Sequence, residues 1–417
     1  MKKFLFLLLA PLTLISQEDA LVEEVIVVGT KASLIAAIDK QRESDKIVSI
    51  VDSDALGDFP DTTAAEAIRR LSGISIENDQ GEGRYVSIRG LSSDLNSIAI
   101  NGALMPAPEG NRSVLLDGLP TELLDSIEVS KSLTPDQDAD SIGGRIDFKT
   151  KRPTDLTGEL IKIKIDTQYN EQAKSNDNPR FAITYGDKLS DTFGHVLGFT
   201  YSSKQIVSYN NETGFGWETN SEGLKELNDD WEMRYYDLTR ERIGFTYDAN
   251  FLTSDVTSIY ISAFHNEYID DELRYKDEYG KLGSIGTTTQ STMFTDRIRH
   301  DAETRVREET RTISAFNIGG ETIINDWNSE FQLSYSFAEQ DDTDNADLTF
   351  RCEVRAKKDS CVNLKSPLVS GAVGEINFSN PRKLVLNSYY PEIYDPTNLK
   401  FKELELEDSV IEDSETA

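Results

Sequence analysis

Histidine and cysteine are scarce in this chain, three of one and two of the other in 417 residues. His195, His265 and His300 stand far apart, and Cys352 and Cys361 lack the repeated Cys or His spacing of a metal centre. HExxH, Gly-x-Ser-x-Gly and P-loop patterns are missing too, so no catalytic constellation, cofactor or metal is expected and the chain does not read as an enzyme. Positive charge is short: 43 Lys and Arg against 74 Asp and Glu leave a net charge of −31. Nucleic acid is thereby excluded as a partner, because phosphate binding needs clustered cations to displace counterions. Long apolar runs are lacking as well. Past the N-terminus no run of some 18 apolar residues occurs, which rules out a bundle of membrane helices. It does not rule out a membrane barrel, whose strands alternate and hide from hydropathy averages.

What is present begins with Met1-Lys2-Lys3 and the apolar run Phe4 to Ile15. A charged start and a short apolar core predict a secretory signal peptide over residues 1–20, and the run is shorter than the roughly 20 residues a spanning anchor needs. Glu24-Val25-Ile26-Val27-Val28-Gly29 follows, a β-branched segment with no partner strand nearby. It reads either as a first strand of the next domain or as an edge meant to pair with another protein's sheet.

From Ala32 to Lys46 the composition is helical. A strand is expected over Ile47 to Asp52 and a turn over Leu56 to Pro60. Thr62 or Thr63 is placed to cap a helix carrying Ala67, Ile68 and Leu71, stopped at Gly73. Ile74 and Ile76 open a strand, Glu77 to Gly83 is a polar loop, and Val86 to Ile88 and Ile98 to Ile100 read as two arms of a hairpin. Gly81-Glu82-Gly83 is no dinucleotide fingerprint, since it leads into a strand and its third glycine is missing. Ala103 to Ser113 is expected as an apical loop, Ser126 to Lys131 and Arg145 to Thr150 as strands. Asp136, Asp138 and Asp140 open like a calcium loop but lack its glycine, its final Glu and its helices.

Beyond Pro153 the pattern changes to hairpins. Ile161, Ile163 and Ile165 alternate with Lys162, Lys164 and Asp166. Ile243, Phe245 and Tyr247 alternate with Arg242, Thr246 and Asp248, and Phe331, Leu333, Tyr335 and Phe337 with Glu330, Gln332, Ser334 and Ser336. The polar faces are expected to see water. Connections at Ser190 to Thr192, Leu252 to Asp255 and Asn325 to Asp326 are tight. Those at Glu171 to Pro179, Lys204 to Asp237, Glu267 to Arg311 and after Glu339 are long. Strict alternation of short and long fits an outer-membrane barrel better than a soluble sandwich, which also alternates along its strands. Cys352 and Cys361, both in the last long connection, read in an exported protein as a loop-closing disulfide.

Pro60-Asp61, Ala65-Glu66-Ala67, Gly81-Glu82-Gly83-Arg84, Val86-Ser87-Ile88-Arg89-Gly90 and Gly143-Gly144-Arg145-Ile146-Asp147 together resemble the plug domain of TonB-dependent outer-membrane receptors, and Glu24 to Gly29 resembles the TonB box. The resemblance implies an α+β N-terminal plug domain followed by an antiparallel transmembrane β-barrel of about 22 strands. On that scheme residues 1–20 are the signal peptide, 21–46 the TonB box and linker, 47–153 the plug and 154–417 the N-terminal part of a truncated barrel. Only seven or eight strand-like segments are present, and the charged stretch Glu412 to Ala417 offers no closing aromatic strand. Missing sequence is therefore expected, because lipid tolerates no open sheet edge. The implied partners are TonB with its inner-membrane complex, outer-membrane lipid, and a small ligand. The ligand is a carbohydrate in the subgroup the motifs resemble, or a ferric siderophore in the alternative. A passive porin and a signalling-only receptor are less favoured. Substrate is expected at Glu82, Arg84, Met105, Asn111 and Arg112 of the plug and at Trp217 and Trp231 of the outer loops, whose rings could stack on sugars or fill loop cores.

Overall fold

The computed structural model describes residues 37–417 apart from 43, 45, 53–62, 108–111, 136, 138–140, 215, 228–229, 283–287, 326, 356–360, 362–370 and 381–382. The expected signal peptide, the TonB-box segment Glu24 to Gly29, the turn at 56–60, Asn111 and the triple-aspartate loop all lie outside the described residues.

The first unit holds β1 (Val48–Asp52), α1 (Ala64–Ile68), β2 (Ile74–Asp79), β3 (Glu82–Ile88), β4 (Asn96–Ile100), β5 (Ala103–Leu104), β6 (Leu124–Ser130) and β7 (Gly144–Thr150). A five-stranded sheet runs in the order β1-β6-β7-β4-β5, with β4 parallel to β7 and the other pairs antiparallel. Ile68, Ile88, Ile100, Leu116, Ile127, Ile146 and Phe148 are fully buried in one core, each contributing roughly 1.5–3 kcal/mol on transfer from water. Thr63 is the N-cap of α1, but its side chain makes no capping bond.

Two expectations change here. The segment from Glu77 to Gly83 is not a loop: β2 and β3 pair as a hairpin, turning tightly through Gln80 and Gly81, both with positive φ. Consequently β3 is not the hairpin partner of β4. β3 is spent on β2, and β4 pairs instead with β7 and β5. The two strands stay linked through Asn96, whose side-chain amide donates to the Val86 carbonyl at 2.8 Å. Gly143 and Gly144 allow this crossing. A Cβ at Gly143 would stand 2.1 Å from the Asn96 side-chain oxygen, and one at Gly144 would stand 2.6 Å from the Ser130 carbonyl.

The second unit comprises β8 (Leu160–Thr167), β9 (Pro179–Ser190), β10 (Phe193–Glu212), β11 (Trp217–Thr219), β12 (Lys225–Leu227), β13 (Trp231–Ser254), β14 (Thr257–Gly280), β15 (Thr292–Thr295), β16 (Arg297–Ile324), β17 (Trp327–Arg355), β18 (Gly374–Asn377), β19 (Val385–Ser388) and β20 (Lys400–Thr416). Eight of these form one antiparallel sheet in the order β20-β17-β16-β14-β13-β10-β9-β8. Short and long connections alternate, but the three long ones after β10, β14 and β17 are shorter than expected, because β10, β13, β14, β16 and β17 run on through polar stretches that read as loops. The terminal stretch Glu412 to Thr416 likewise belongs to a strand, β20, paired with β17.

Register places Ile163, Ile183, Phe199 and Phe245 in one row of the sheet and Tyr247, Ala263, Phe316 and Tyr335 in the next. Ile161, Ile163, Ile165, Phe316, Ile318, Phe331 and Leu333 are all exposed on this outer face. From Ile243 to Phe251 the apolar band covers about the nine residues a tilted strand needs to span a bilayer. The opposite face does not see water as expected. Gly198, Arg240, Arg242, Gly244, Asn266, Tyr268 and Arg311 pack against the first unit, which lies on the inner face of the sheet.

Candidate functional site: the junction of plug and barrel wall

The turn at Gln80 and Gly81 lifts Glu82, the first residue of β3, against the inner wall. Its carboxylate is 1% exposed and accepts from Lys204 Nζ at 2.7 Å, Arg240 Nη1 at 2.7 Å and Arg242 Nη2 at 2.8 Å. Arg240 also donates to Asp270 at 3.2 Å and to the Gln80 side chain. A second plug carboxylate, Asp117, is completely buried and takes both terminal nitrogens of Arg311 at 3.0 and 3.2 Å, with Arg84 Nε 3.5 Å away. Between the two clusters stands the Tyr268 ring, with Arg311 3.9 Å and Arg242 5.2 Å from its centroid, and Arg242 Nε donates to the Asp117 carbonyl at 2.8 Å. Burial by itself would raise the Glu82 carboxyl, but Arg242, Lys204 and Arg240 outweigh it and hold it well below the usual carboxylate range. Burial opposes ionisation of Asp117 too, and Arg311 followed by Arg84 holds it low.

Lower on the wall neutral contacts dominate, beside a further ionic link in which Glu122 of the plug takes Lys164 at 3.3 Å and Arg180 at 3.1 Å. Asn101, held within the plug by Thr150 at 2.7 Å, donates to Ser262 of the wall at 2.7 Å, Gln332 donates to the Asn101 carbonyl at 2.9 Å, and Asn266 donates to the Gly118 carbonyl at 3.2 Å. Leu123 fits a socket left by two glycines: a Cβ on Gly244 would stand 2.5 Å from it and one on Gly198 3.3 Å. The wall therefore holds the plug through apolar and neutral contacts with one ionic link at Glu122, and through the two ionic clusters at the apex.

Above the apex β13, β14, β16 and β17 continue, and their inner face is a carpet of paired charges. Lys276 joins Glu278 and Glu303, Arg305 joins Asp347, Arg307 joins Glu272 and Glu309, and Arg351 joins Asp301. The outer loops fold over the opposite face, where Trp231, Tyr279, Met293, Ile298, Val354, Val373, Ile376 and Ile393 make a separate apolar core. β15, β18 and β19 form its small sheet, and a Cys352–Cys361 disulfide with Cα atoms 5.4 Å apart ties it to β17.

The residues expected to touch substrate thus separate. Glu82 is not an apical contact but the buried centre of the ionic cluster. Met105 is 6% exposed and belongs to the plug core. Arg84 is the plug residue that stays partly open beside the apex, bound to Asp79 at 2.7 Å. Arg112 is exposed and lines a cleft with Asp413 and Glu415. Trp217 stacks edge-on against Phe378 with ring centroids 5.2 Å apart, and Trp231 lies 5.8 Å from Tyr279, so both rings are consumed by the loop core on the outer face. Sequence reasoning missed Lys204, Arg240, Asp270, Tyr268, Arg311 and Asp117. The signal was the Arg240-x-Arg242 alternation, where two adjacent cations on a strand's inner face require buried anions opposite.

Residues 40–145 match the family model described as TonB-dependent Receptor Plug Domain. The chain accordingly has the make-up of a TonB-dependent receptor, a plug followed by a partial barrel, and its place is the bacterial outer membrane. No curated protein matches it. Among solved structures it is similar to the unliganded ferric citrate transporter FecA, at 13% identity and a TM-score of 0.38 over 82% of this chain and 53% of that one. It is similar also to the siderophore receptor PirA from Acinetobacter baumannii, at 12% identity and a TM-score of 0.34 over 75% and 57%. The ferric enterobactin receptor PfeA from Pseudomonas aeruginosa, as an R480A_Q482A mutant, matches at 13% and 0.33 over 76% and 58%. The chain thus spans 53–58% of the length of these structures. Scores of this size carry no argument about what it binds.

Proposed function

We propose that this chain works in active, TonB-dependent uptake: it binds a ligand at the cell surface and passes it to the periplasm when the plug is moved, and it is not an enzyme. The observation that carries the reading is the buried ionic seat of the plug apex. A passive pore has no use for a plug held by Glu82 and Asp117 against four barrel cations, whereas an energised importer needs a plug that stays shut until it is pulled. The pull is assigned to Glu24 to Gly29, whose β-branched run suits strand addition to TonB.

A carbohydrate is the favoured ligand. The inner wall above the apex presents donors and acceptors whose charges are already paired, which supports a neutral polyhydroxylated molecule over an anionic ferric chelate. Arg84 at the apex, with Lys276, Glu303, Arg305 and Asp347 of the wall, is the contact set we assign. The test is uptake of labelled oligosaccharides and of ferric siderophores in cells relying on this receptor, with and without TonB. TonB-dependent uptake of an oligosaccharide supports the reading. Uptake of ferric siderophore alone replaces the ligand but keeps the mechanism, and uptake independent of TonB overturns both.

A further inference from the structure

The outer face of the sheet carries a second apolar belt that neither the lipid band nor the loop core uses. Tyr209, Tyr235 and Tyr275 stand side by side on β10, β13 and β14, with ring centroids 5.0 and 6.2 Å apart. Tyr209 is 72% exposed, Tyr275 47% and Phe401 63%. Met233, Thr304 and Phe350 complete a groove with Tyr235 and Tyr275, and Asn211 and Asp277 stand at its rim. The belt faces outward, because Tyr235 and Tyr275 have the same parity on their strands as the lipid-facing Phe245 and Ile261.

Its height decides what can reach it. From Phe245 to Tyr235 the strand climbs ten residues, roughly 25 Å at the tilt of barrel strands, beyond the interfacial zone of a bilayer. The intervening outward positions on β13, β14, β16 and β17 include Asp237, Glu241, Glu267, Asp271, Glu308, Glu339 and Asp341, and no Lys or Arg. Phosphate groups of a headgroup therefore meet no cation at these positions, and the two cations that reach the groove, Arg234 and Lys276, are already paired with Glu212 and Glu232 and with Glu278 and Glu303. What meets the belt is whatever stands above the headgroups on the same side of the wall, continuous with the lipid contact. A row of tyrosine rings edged by an amide, a carboxylate and a hydroxyl suits sugar rings, which offer apolar C–H faces and hydroxyl edges.

We propose that the belt centred on Tyr209, Tyr235 and Tyr275 holds the saccharide of the outer-leaflet glycolipid, reading its sugar rings rather than its phosphates. The test uses the full chain in outer membranes. A photo-reactive side chain at Tyr209 should capture lipopolysaccharide that carries core sugars, and a captured protein would overturn the assignment, as would no captured glycolipid. In parallel, the amount of core-bearing lipopolysaccharide co-purifying with a Tyr209→Ala, Tyr275→Ala variant should fall about tenfold, the loss expected when two aromatic contacts each worth about a factor of three are removed. Retention of sugar-free lipid A should be the same for both proteins. Equal retention of core-bearing glycolipid by wild type and variant, or wild-type retention of lipid A as strong as that of the core-bearing form, contradicts the proposal. Ligand uptake is not expected to change, so loss of transport is read separately from loss of glycolipid.

Discussion

Glu82 concentrates the consequences at the scale of single residues. Removing one partner from a buried ion pair leaves the others uncompensated and costs about 3–5 kcal/mol, although a well-packed apolar replacement of the whole cluster would cost far less. Glu82→Gln is therefore expected to weaken plug seating sharply, seen as faster proteolysis of the plug in intact outer membranes; unchanged cleavage would mean the cluster is incidental. Acid should not release the plug in the same way. Glu82 and Asp117 both have carboxyls lowered on folding. Their contribution is thus present above the unfolded carboxylate range of about pH 4 and lost only as pH falls through the lower folded values. Plug protection should be the same at pH 7 and pH 5, and loss by pH 5 would contradict the pairing. Gly244→Val places a branched side chain where even a Cβ would stand 2.5 Å from Leu123. It should unseat the plug, and adding Leu123→Ala should restore it.

At the scale of elements, the loop core and its disulfide form a unit apart from the plug. Closing a short loop contributes about 2–3 kcal/mol, and here the bond ties Cys361, in the segment between β17 and β18, back to β17. Cys352→Ser is expected to raise protease cleavage in that segment while leaving plug seating unchanged; joint loss of both would tie the loops to the junction. Local patterning exposed the strands and alternation. Ile161 to Ile165 and Phe331 to Phe337 read as they fold, and β6 and β7 fall where the alternation of Ser126 to Lys131 and Arg145 to Thr150 puts them. Pairing partners were less legible, since nothing in Val86 to Ile88 says that its partner precedes it rather than follows. The upper halves of β13 and β14 looked like loops because their inner positions, from Arg234 to Arg242 and from Tyr268 to Glu278, are polar or charged except for Leu238, and only the plug and the facing strands supply the partners that make the polar ones buriable. The same blindness hid Tyr268, whose role comes from two arginines on separate strands.

On the scale of the whole molecule, the account joins a membrane wall, a plug seated on its inner face and an N-terminal segment assigned to receive the pull. Val27→Pro is expected to abolish uptake and to leave surface binding of ligand intact, because proline removes a backbone donor from the added strand; equal loss of binding would mark the segment as structural. The most direct measurement of the central claim fixes the plug to the wall. A Cβ built on Gly118 lies 3.3 Å from the Tyr268 Cβ, close to the span of a disulfide, so Gly118→Cys with Tyr268→Cys should cross-link in the oxidised protein. The account predicts that the oxidised double variant binds ligand at the cell surface but does not import it, and that reduction restores uptake in the same cells. Uptake at the reduced rate with the cross-link intact would contradict it.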